Sequence, residues 1–155
     1  TALIHAAKYN QVESGRVLIA SGAKIDSRTK IMQRLLSISA EKGHESFTRM
    51  LVESGADVNA RSKNSTTPLI IASVRGRVEI ISLLVKKGAK VDGVLNNGST
   101  ALMVAAERGH YEAVKALLKH GADPEITSQK GWTTLMVAVA GGNLKATRLI
   151  LDQGG

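Results

Sequence analysis

The sequence predicts an all-α array of repeated helix–turn–helix units, and three observations lead to this prediction. A Gly-Ala pair recurs with a constant spacing of 33 residues, at Gly22-Ala23, Gly55-Ala56, Gly88-Ala89 and Gly121-Ala122. Apolar residues before the pairs follow helical spacing, as in Val114, Leu117 and Leu118. The aromatic fraction is only 3%, so a core must be built from Leu, Ile, Val and Ala.

The recurrence divides the chain into five units, which we expect to form one domain over residues 1–155. The units are predicted at 1–33, 34–66, 67–99, 100–132 and 133–155, the last of them partial. The fifth unit keeps the apolar segments LMVAVAGG and ATRLIL, whereas a terminal repeat usually carries a polar outer face. We therefore expect the chain to be a fragment of a longer protein with further repeats or another domain.

The start of each unit carries the signals of a short first helix. Thr67 precedes Pro68, which fits a capping residue followed by the first helical position, where the missing N–H of Pro is harmless. Thr100 and Thr133 occupy the same place and are predicted to cap in the same way. The second unit departs from this pattern, because it opens on RLLSISA from Arg34 with neither a Thr cap nor a Pro.

Glycine is predicted to mark both ends of each second helix. A residue that tolerates left-handed geometry precedes the helix, namely Asn10, Gly43, Gly76, Gly109 or Gly142. The Gly of each Gly-Ala pair is predicted to end the helix as a left-handed C-cap. The polar segment that follows, such as ADVNARSKNST at 56–66, can form a hairpin-like finger. Gly15 lies inside the first of these helices, where Gly costs about 1 kcal/mol relative to Ala.

The pattern TPL…A…G…LL…GADVN, clearest in the third and fourth units, resembles the ankyrin-repeat family over essentially the whole chain. The resemblance implies helix–turn–helix units with projecting β-hairpin-like fingers, stacked side by side into an ankyrin-repeat solenoid. Members usually have His three residues after the capping Thr, and here that place holds Ile4, Ser37, Ile70, Met103 and Met136. Apolar contact must therefore replace a polar network, and Met103 and Met136 are expected in the core.

The composition and motifs argue against catalysis. The chain has no Cys, which excludes disulfides and thiolate chemistry. None of the four His residues, His5, His44, His110 and His120, has the spacing of a metal ligand set. His44 and His110 follow the turn glycine, where we expect a structural role. Since a GxSxG motif and a P-loop are also absent, the sequence predicts a protein that is not an enzyme and holds no cofactor or metal.

The resemblance also maps a partner-binding surface, because partners of ankyrin repeats usually bind the concave side built from finger tips and first helices. The predicted binding residues are Lys8, Tyr9, Lys42, Arg75 and Arg108 on the helices and Lys30, Lys63, Lys130 and Trp132 on the fingers. Only two acidic residues, Glu41 and Glu107, share this surface with its seven Lys and Arg. A basic strip of this kind would steer an acidic partner. The alternative interpretation is that these residues are simply solvated.

The first functional hypothesis is a monomeric scaffold inside the cell, cytoplasmic or nuclear, that binds an acidic or mixed polar/apolar protein segment on its basic concave face. The net charge of +8 favours acidic partners in general. The alternative is nucleic-acid or phosphate-ligand binding through the same strip, with Trp132 stacking on a base beside Lys130.

Three further points are left open by the sequence. Trp132 either anchors a ligand or packs on the neighbouring finger. Attachment to an anionic membrane is disfavoured, because no amphipathic helix with bulky apolar residues accompanies the lysines. A purely structural spacer inside a longer array is the remaining hypothesis.

Overall fold

The structure, a computed structural model, describes residues 2–21 and 30–153, and these contain ten α-helices. The helices are α1 (Ala2–Lys8), α2 (Val12–Ala20), α3 (Lys30–Lys42), α4 (Glu45–Glu53), α5 (Pro68–Val74), α6 (Val78–Lys86), α7 (Ala101–Glu107), α8 (Tyr111–Lys119), α9 (Thr134–Ala140) and α10 (Leu144–Asp152). The Gly22-Ala23 pair, most of the first predicted finger and Gly154-Gly155 lie outside the described residues.

The helices form pairs that stack side by side in two layers. The first helices make one layer in the order α1, α3, α5, α7, α9, and the second helices make the other in the order α2, α4, α6, α8, α10. The apolar core between the layers consists of one cluster within α1–α4 and a second that extends from the end of α3 to α10. The all-α solenoid predicted from the sequence is confirmed.

Hairpin-like fingers follow α4, α6 and α8. Each finger is closed by an equivalent backbone N–H to C=O hydrogen bond of 2.9 to 3.0 Å, from Ser62 to Thr66, from Leu95 to Ser99 and from Ser128 to Trp132. Neighbouring fingers are also joined, because Asn96 Nδ2 donates to the carbonyl of Lys63 (3.3 Å) and Gln129 Nε2 donates to the carbonyl of Asn96 (2.7 Å). The fingers therefore form one connected edge of the solenoid.

The capping and turn residues act as predicted. The Oγ1 atoms of Thr67, Thr100 and Thr133 accept hydrogen bonds from the backbone N–H three residues later, at 3.2 to 3.3 Å. The turn residues before the second helices have φ between 56° and 83°, namely Asn10, Gly43, Gly76, Gly109 and Gly142. The glycines that end α4, α6 and α8 also have positive φ, between 83° and 90°.

The first helix of the second unit begins earlier than predicted. Lys30 was expected on a finger, but it is the first residue of α3, which is 13 residues long. The apolar side of this helix explains the difference, because Met32 is as deeply buried as Leu36, four residues later on the same face. With no Thr cap or Pro at Arg34 to start the helix there, this face extends back to Lys30.

The prediction that Met136 lies in the core is wrong. Met103, at the same place one repeat earlier, is 2% exposed, whereas Met136 is 53% exposed. Met103 lies in α7, which packs against α9, but no helix within residues 2–21 and 30–153 covers the opposite side of α9. The same side of α9 exposes Val139.

A side-chain hydrogen bond ties each of the later second helices to the preceding pair. Its donor is the residue after the turn glycine, and its acceptor is a carbonyl at the C-terminal end of the preceding first helix. The bonds run from His44 Nε2 to Lys8 (3.0 Å), from Arg77 Nε to Glu41 (3.3 Å), from His110 Nε2 to Val74 (3.0 Å) and from Asn143 Nδ2 to Glu107 (2.9 Å). These carbonyls have no partner within their own helix, so the bond satisfies them. His44 and His110 are therefore structural, as predicted.

Gly15 marks a close approach between α2 and α4. A Cβ atom at this position would lie 2.8 Å from both Met50 Cε and Phe47 Cε2, and the side chains of Met50 and Phe47 are buried. The propensity cost that the sequence indicated for Gly15 is thus offset by the tight packing of two helices.

Replacing Gly15 by Ala is expected to destabilise the protein, although Ala is the better helix former. The gain in helix propensity is about 1 kcal/mol, whereas overpacking a filled core costs about 1–3 kcal/mol. The urea midpoint of Gly15→Ala should therefore fall, while that of the exposed control Ser14→Ala should stay the same or rise. An increased midpoint for Gly15→Ala would show that the contact is not tight.

The adjacent residues Thr133 and Thr134 should respond in opposite directions to the same substitution. The Thr133 hydroxyl caps α9, whereas the buried Thr134 Oγ1 has no hydrogen-bond partner among the described residues. Thr133→Val should lower the free energy of unfolding by about 1 kcal/mol, and Thr134→Val should raise it by about 1 kcal/mol by removing an unsatisfied hydroxyl. Urea denaturation measures both, and a loss of stability in Thr134→Val would mean that its hydroxyl is satisfied.

Candidate partner-binding groove

Two cavities open between first helices on the side of the fingers. The N-terminal cavity, between α3 and α5, has a volume of about 330 Å³, and the C-terminal cavity, between α7 and α9, has a volume of about 460 Å³. Seven lining residues of the N-terminal cavity have a counterpart two repeats later in the C-terminal cavity: Ser37/Met103, Ile38/Val104, Glu41/Glu107, Thr66/Trp132, Ile71/Val137, Val74/Ala140 and Arg75/Gly141. We call this repeated feature the groove.

The groove has an apolar floor between two different walls. One aliphatic residue of each first helix from α3 to α9 contributes to the floor, namely Ile38, Ile71, Val104 and Val137. Ile38, Ile71 and Val137 are only partly buried, so this surface remains accessible. The finger wall contains Thr66, Ser99 and Trp132. The opposite wall is formed by residues at the C-terminal ends of the first helices, and we call it the helix-end wall.

An ion pair across two repeats defines the helix-end wall. Arg75 Nη2 lies 2.6 Å from Glu41 Oε1, and the two side chains are 53% and 46% exposed. At this exposure the pair contributes little to stability, but it compensates the charge of Arg75. We call the contact between two successive first helices a junction, so Glu41 and Arg75 stand at the second junction. The equivalent positions hold Lys8 and Lys42 at the first junction, Val74 and Arg108 at the third, and Glu107 and Gly141 at the fourth.

The charge of the helix-end wall therefore changes along the groove. Two cations stand at the first junction, a compensated pair at the second, one cation at the third and one anion at the fourth. In the part of the chain that the structure describes, Lys42, Arg108 and Glu107 form no ion pair. The sequence had indicated a strip with seven basic residues and two acidic ones, but the pairing of Arg75 with Glu41 is not visible within one unit.

The remaining predicted binding residues are distributed along the same side. Lys8 Nζ lies 5.4 Å from the ring centroid of Tyr9, at the N-terminal end of the stack. Lys63 is an exposed residue of the first described finger. Lys30 lies in the first turn of α3, four residues before Arg34, which lines the N-terminal cavity.

Lys130 and Trp132 both line the C-terminal cavity. Trp132 is 42% exposed, so its indole is accessible from the groove. The sequence had left open whether this residue packs on the neighbouring finger or faces a ligand, and the structure places it in the cavity wall. Its role in binding stays a prediction.

The floor of the groove was missed in the sequence. The signal that could have revealed the floor is an aliphatic residue that recurs one position after the place of the missing His. It is present in every unit except the first, which has His5 there. This column was hidden because aliphatic residues in a helical repeat are ordinarily assigned to the core.

The described residues offer neither a metal site nor a membrane span. Among residues 2–21 and 30–153, no group of three or more His, Cys, Asp or Glu is placed to hold a metal ion. None of the helices in these ranges has the length and apolar character needed to cross a membrane.

The repeated geometry agrees with a family comparison. The family model described as ankyrin repeats (3 copies) matches residues 36–128 and 92–155, which together extend from the second unit through the fifth. In a comparison with curated proteins, none matches this chain. Ankyrin repeats generally act as protein–protein interaction modules and are typically non-enzymatic. This chain belongs to the ankyrin-repeat family.

Proposed function

We propose that this protein is a non-catalytic interaction module that binds an acidic or mixed polar/apolar segment of another protein in the groove. The observation that carries the proposal is the apolar floor beside a wall on which Lys42 and Arg108 form no ion pair within the described residues. Burial of the apolar floor contributes favourable binding free energy, from which the cost of ordering the segment is subtracted. The unpaired cations supply long-range attraction and select acidic partners.

The predicted binding residues take different roles in this proposal. Arg75 contributes less than Lys42 or Arg108, because Glu41 already compensates its charge. Lys8 adds a second cation to Lys42 at the first junction, where Tyr9 lies beside it. Lys30 and Lys63 extend the basic surface beside the N-terminal cavity. Trp132 serves as an apolar and aromatic anchor in the C-terminal cavity.

The proposal also covers the organisation and location of the chain. We place residues 1–155 in a single monomeric domain, supported by the unbroken contact from each described helix pair to the next. The exposed Met136 and Val139 of α9 support further repeats in the full protein, because their counterparts Met103 and Ala106 are buried beneath the next pair. Ankyrin repeats are common in intracellular proteins, which supports a cytoplasmic or nuclear location.

Nucleic-acid binding is the second candidate, since exposed Trp132 and Lys130 line one cavity and could hold a stacked base next to a phosphate. Glu107 lines the same cavity and would repel the phosphate. Fluorescence anisotropy with labelled single-stranded oligonucleotides at moderate salt decides between the two candidates. The protein-segment proposal expects no saturable binding.

The groove is tested with a display library of random peptides of about 12 residues. An extended peptide of this length spans about four junctions, because neighbouring first helices lie about 10 Å apart. Peptides enriched on the wild-type chain should be rich in Asp and Glu. Their Kd, measured by isothermal titration calorimetry, should rise at least about tenfold for Lys42→Glu/Arg108→Glu, because two attractive charges become repulsive.

The matched control is Lys115→Glu/Lys119→Glu, which makes the same change in net charge on the exposed side of α8. Its Kd should stay close to that of the wild type at moderate salt, where distant charges are screened. Equal losses of affinity in both variants would show that net charge alone attracts the peptides, and the groove would then not be the binding site.

A further inference from the structure

The two cavities of the groove differ at one register position in a way that changes their chemistry. In the N-terminal cavity, the chain's own Arg75 occupies this position and its guanidinium pairs with Glu41 at 2.6 Å. In the C-terminal cavity, the same position is Gly141, while the carboxylate is retained as Glu107. The C-terminal cavity therefore keeps the acceptor of this ion pair and lacks the donor.

Other differences make the C-terminal cavity larger and add an aromatic ring and a thioether to its lining. Trp132 stands where the N-terminal cavity has Thr66, and Met103 stands where it has Ser37. The space left by an arginine side chain is thus bordered by a carboxylate, an indole and a thioether. Its volume is about 460 Å³, against about 330 Å³ for the N-terminal cavity.

We propose that the C-terminal cavity is a binding site for a basic side chain of the bound protein segment, with arginine preferred over lysine. The guanidinium pairs with Glu107, as that of Arg75 pairs with Glu41, and its plane stacks on the indole of Trp132. A planar guanidinium suits both contacts at once, because it pairs with carboxylates and is weakly hydrated enough to stack on aromatic rings. This inference rests on the proposed function, since it specifies one residue of the segment in the groove.

The order of charges along the helix-end wall places this basic residue relative to the acidic ones. Arg108, at the third junction, and Glu107, at the fourth, are adjacent residues at the end of α7, so opposite charges of the wall lie next to each other. The groove therefore selects a segment in which an acidic residue lies close to an arginine.

Lys130 is the one basic side chain that lines this cavity. It forms no ion pair with Glu107 in the described structure, and its positive charge opposes that of an incoming arginine. Removing this charge with Lys130→Ser should strengthen the binding of arginine-containing peptides. This expectation distinguishes a cation site from an apolar one, which would be indifferent to Lys130.

The test selects peptides from the same random library on the full wild-type chain, on Glu107→Gln and on the matched control Glu41→Gln. The wild type and Glu41→Gln should enrich arginine close to an acidic residue, and Glu107→Gln should keep the acidic preference but lose arginine. In an enriched peptide, Arg→Ala should weaken wild-type binding about tenfold and weaken binding to Glu107→Gln less, because that variant keeps only the stacking on Trp132. The fluorescence of Trp132, the single Trp of the chain, should change only with the arginine peptide.

The outcomes separate this inference from the proposed function. If Glu107→Gln enriches arginine as the wild type does, the basic-residue site is wrong, while an acidic preference lost in Lys42→Glu/Arg108→Glu still supports the groove. Suppose instead that arginine enrichment depends on Glu107, but Lys42→Glu/Arg108→Glu still enriches acidic peptides. The basic-residue site is then supported, and the proposed role of the basic groove is wrong. If the wild type enriches no peptide, both are overturned.

Discussion

The structure depends on one hydrogen bond that is repeated between helix pairs with different donors. The residue that starts a second helix donates to a free carbonyl at the end of the preceding first helix, and the donor is His, Arg, His and Asn in successive repeats. The geometry of the acceptor is constant because it is the end of a helix. Each pair is thereby held in the same register on its neighbour, and the groove inherits this regularity.

Because the register is constant, a substitution in one repeat changes the chemistry of one place along the surface. The same two positions of the helix-end wall carry two cations, an ion pair, one cation and one anion in successive junctions. Because the turns between the helices recur at the same place in each repeat, these exchanges alter the chemistry of the groove at fixed positions along it. We propose a linear protein segment with a matching order of charges as the ligand of such a surface.

Much of the fold could be predicted because its signals are local. The Thr caps, the left-handed turn residues and the Gly-Ala pairs each act within a few residues, and the structure confirms them. The errors concern relations between units. The early start of α3 follows from the burial of Met32 against other helices, the exposure of Met136 depends on what covers α9, and the compensation of Arg75 involves Glu41 of the preceding unit. None of these is encoded within a single repeat.

The most direct test of the groove as the binding site is a backbone-amide chemical-shift map of the isotope-labelled chain, titrated with an enriched peptide. If the segment lies in the groove, the largest shifts occur at the floor residues Ile38, Ile71, Val104 and Val137 and at the indole N–H of Trp132. Shifts concentrated on α8 and α10, with the floor and the Trp132 indole unchanged, would contradict this assignment and place the partner on the opposite layer of the solenoid.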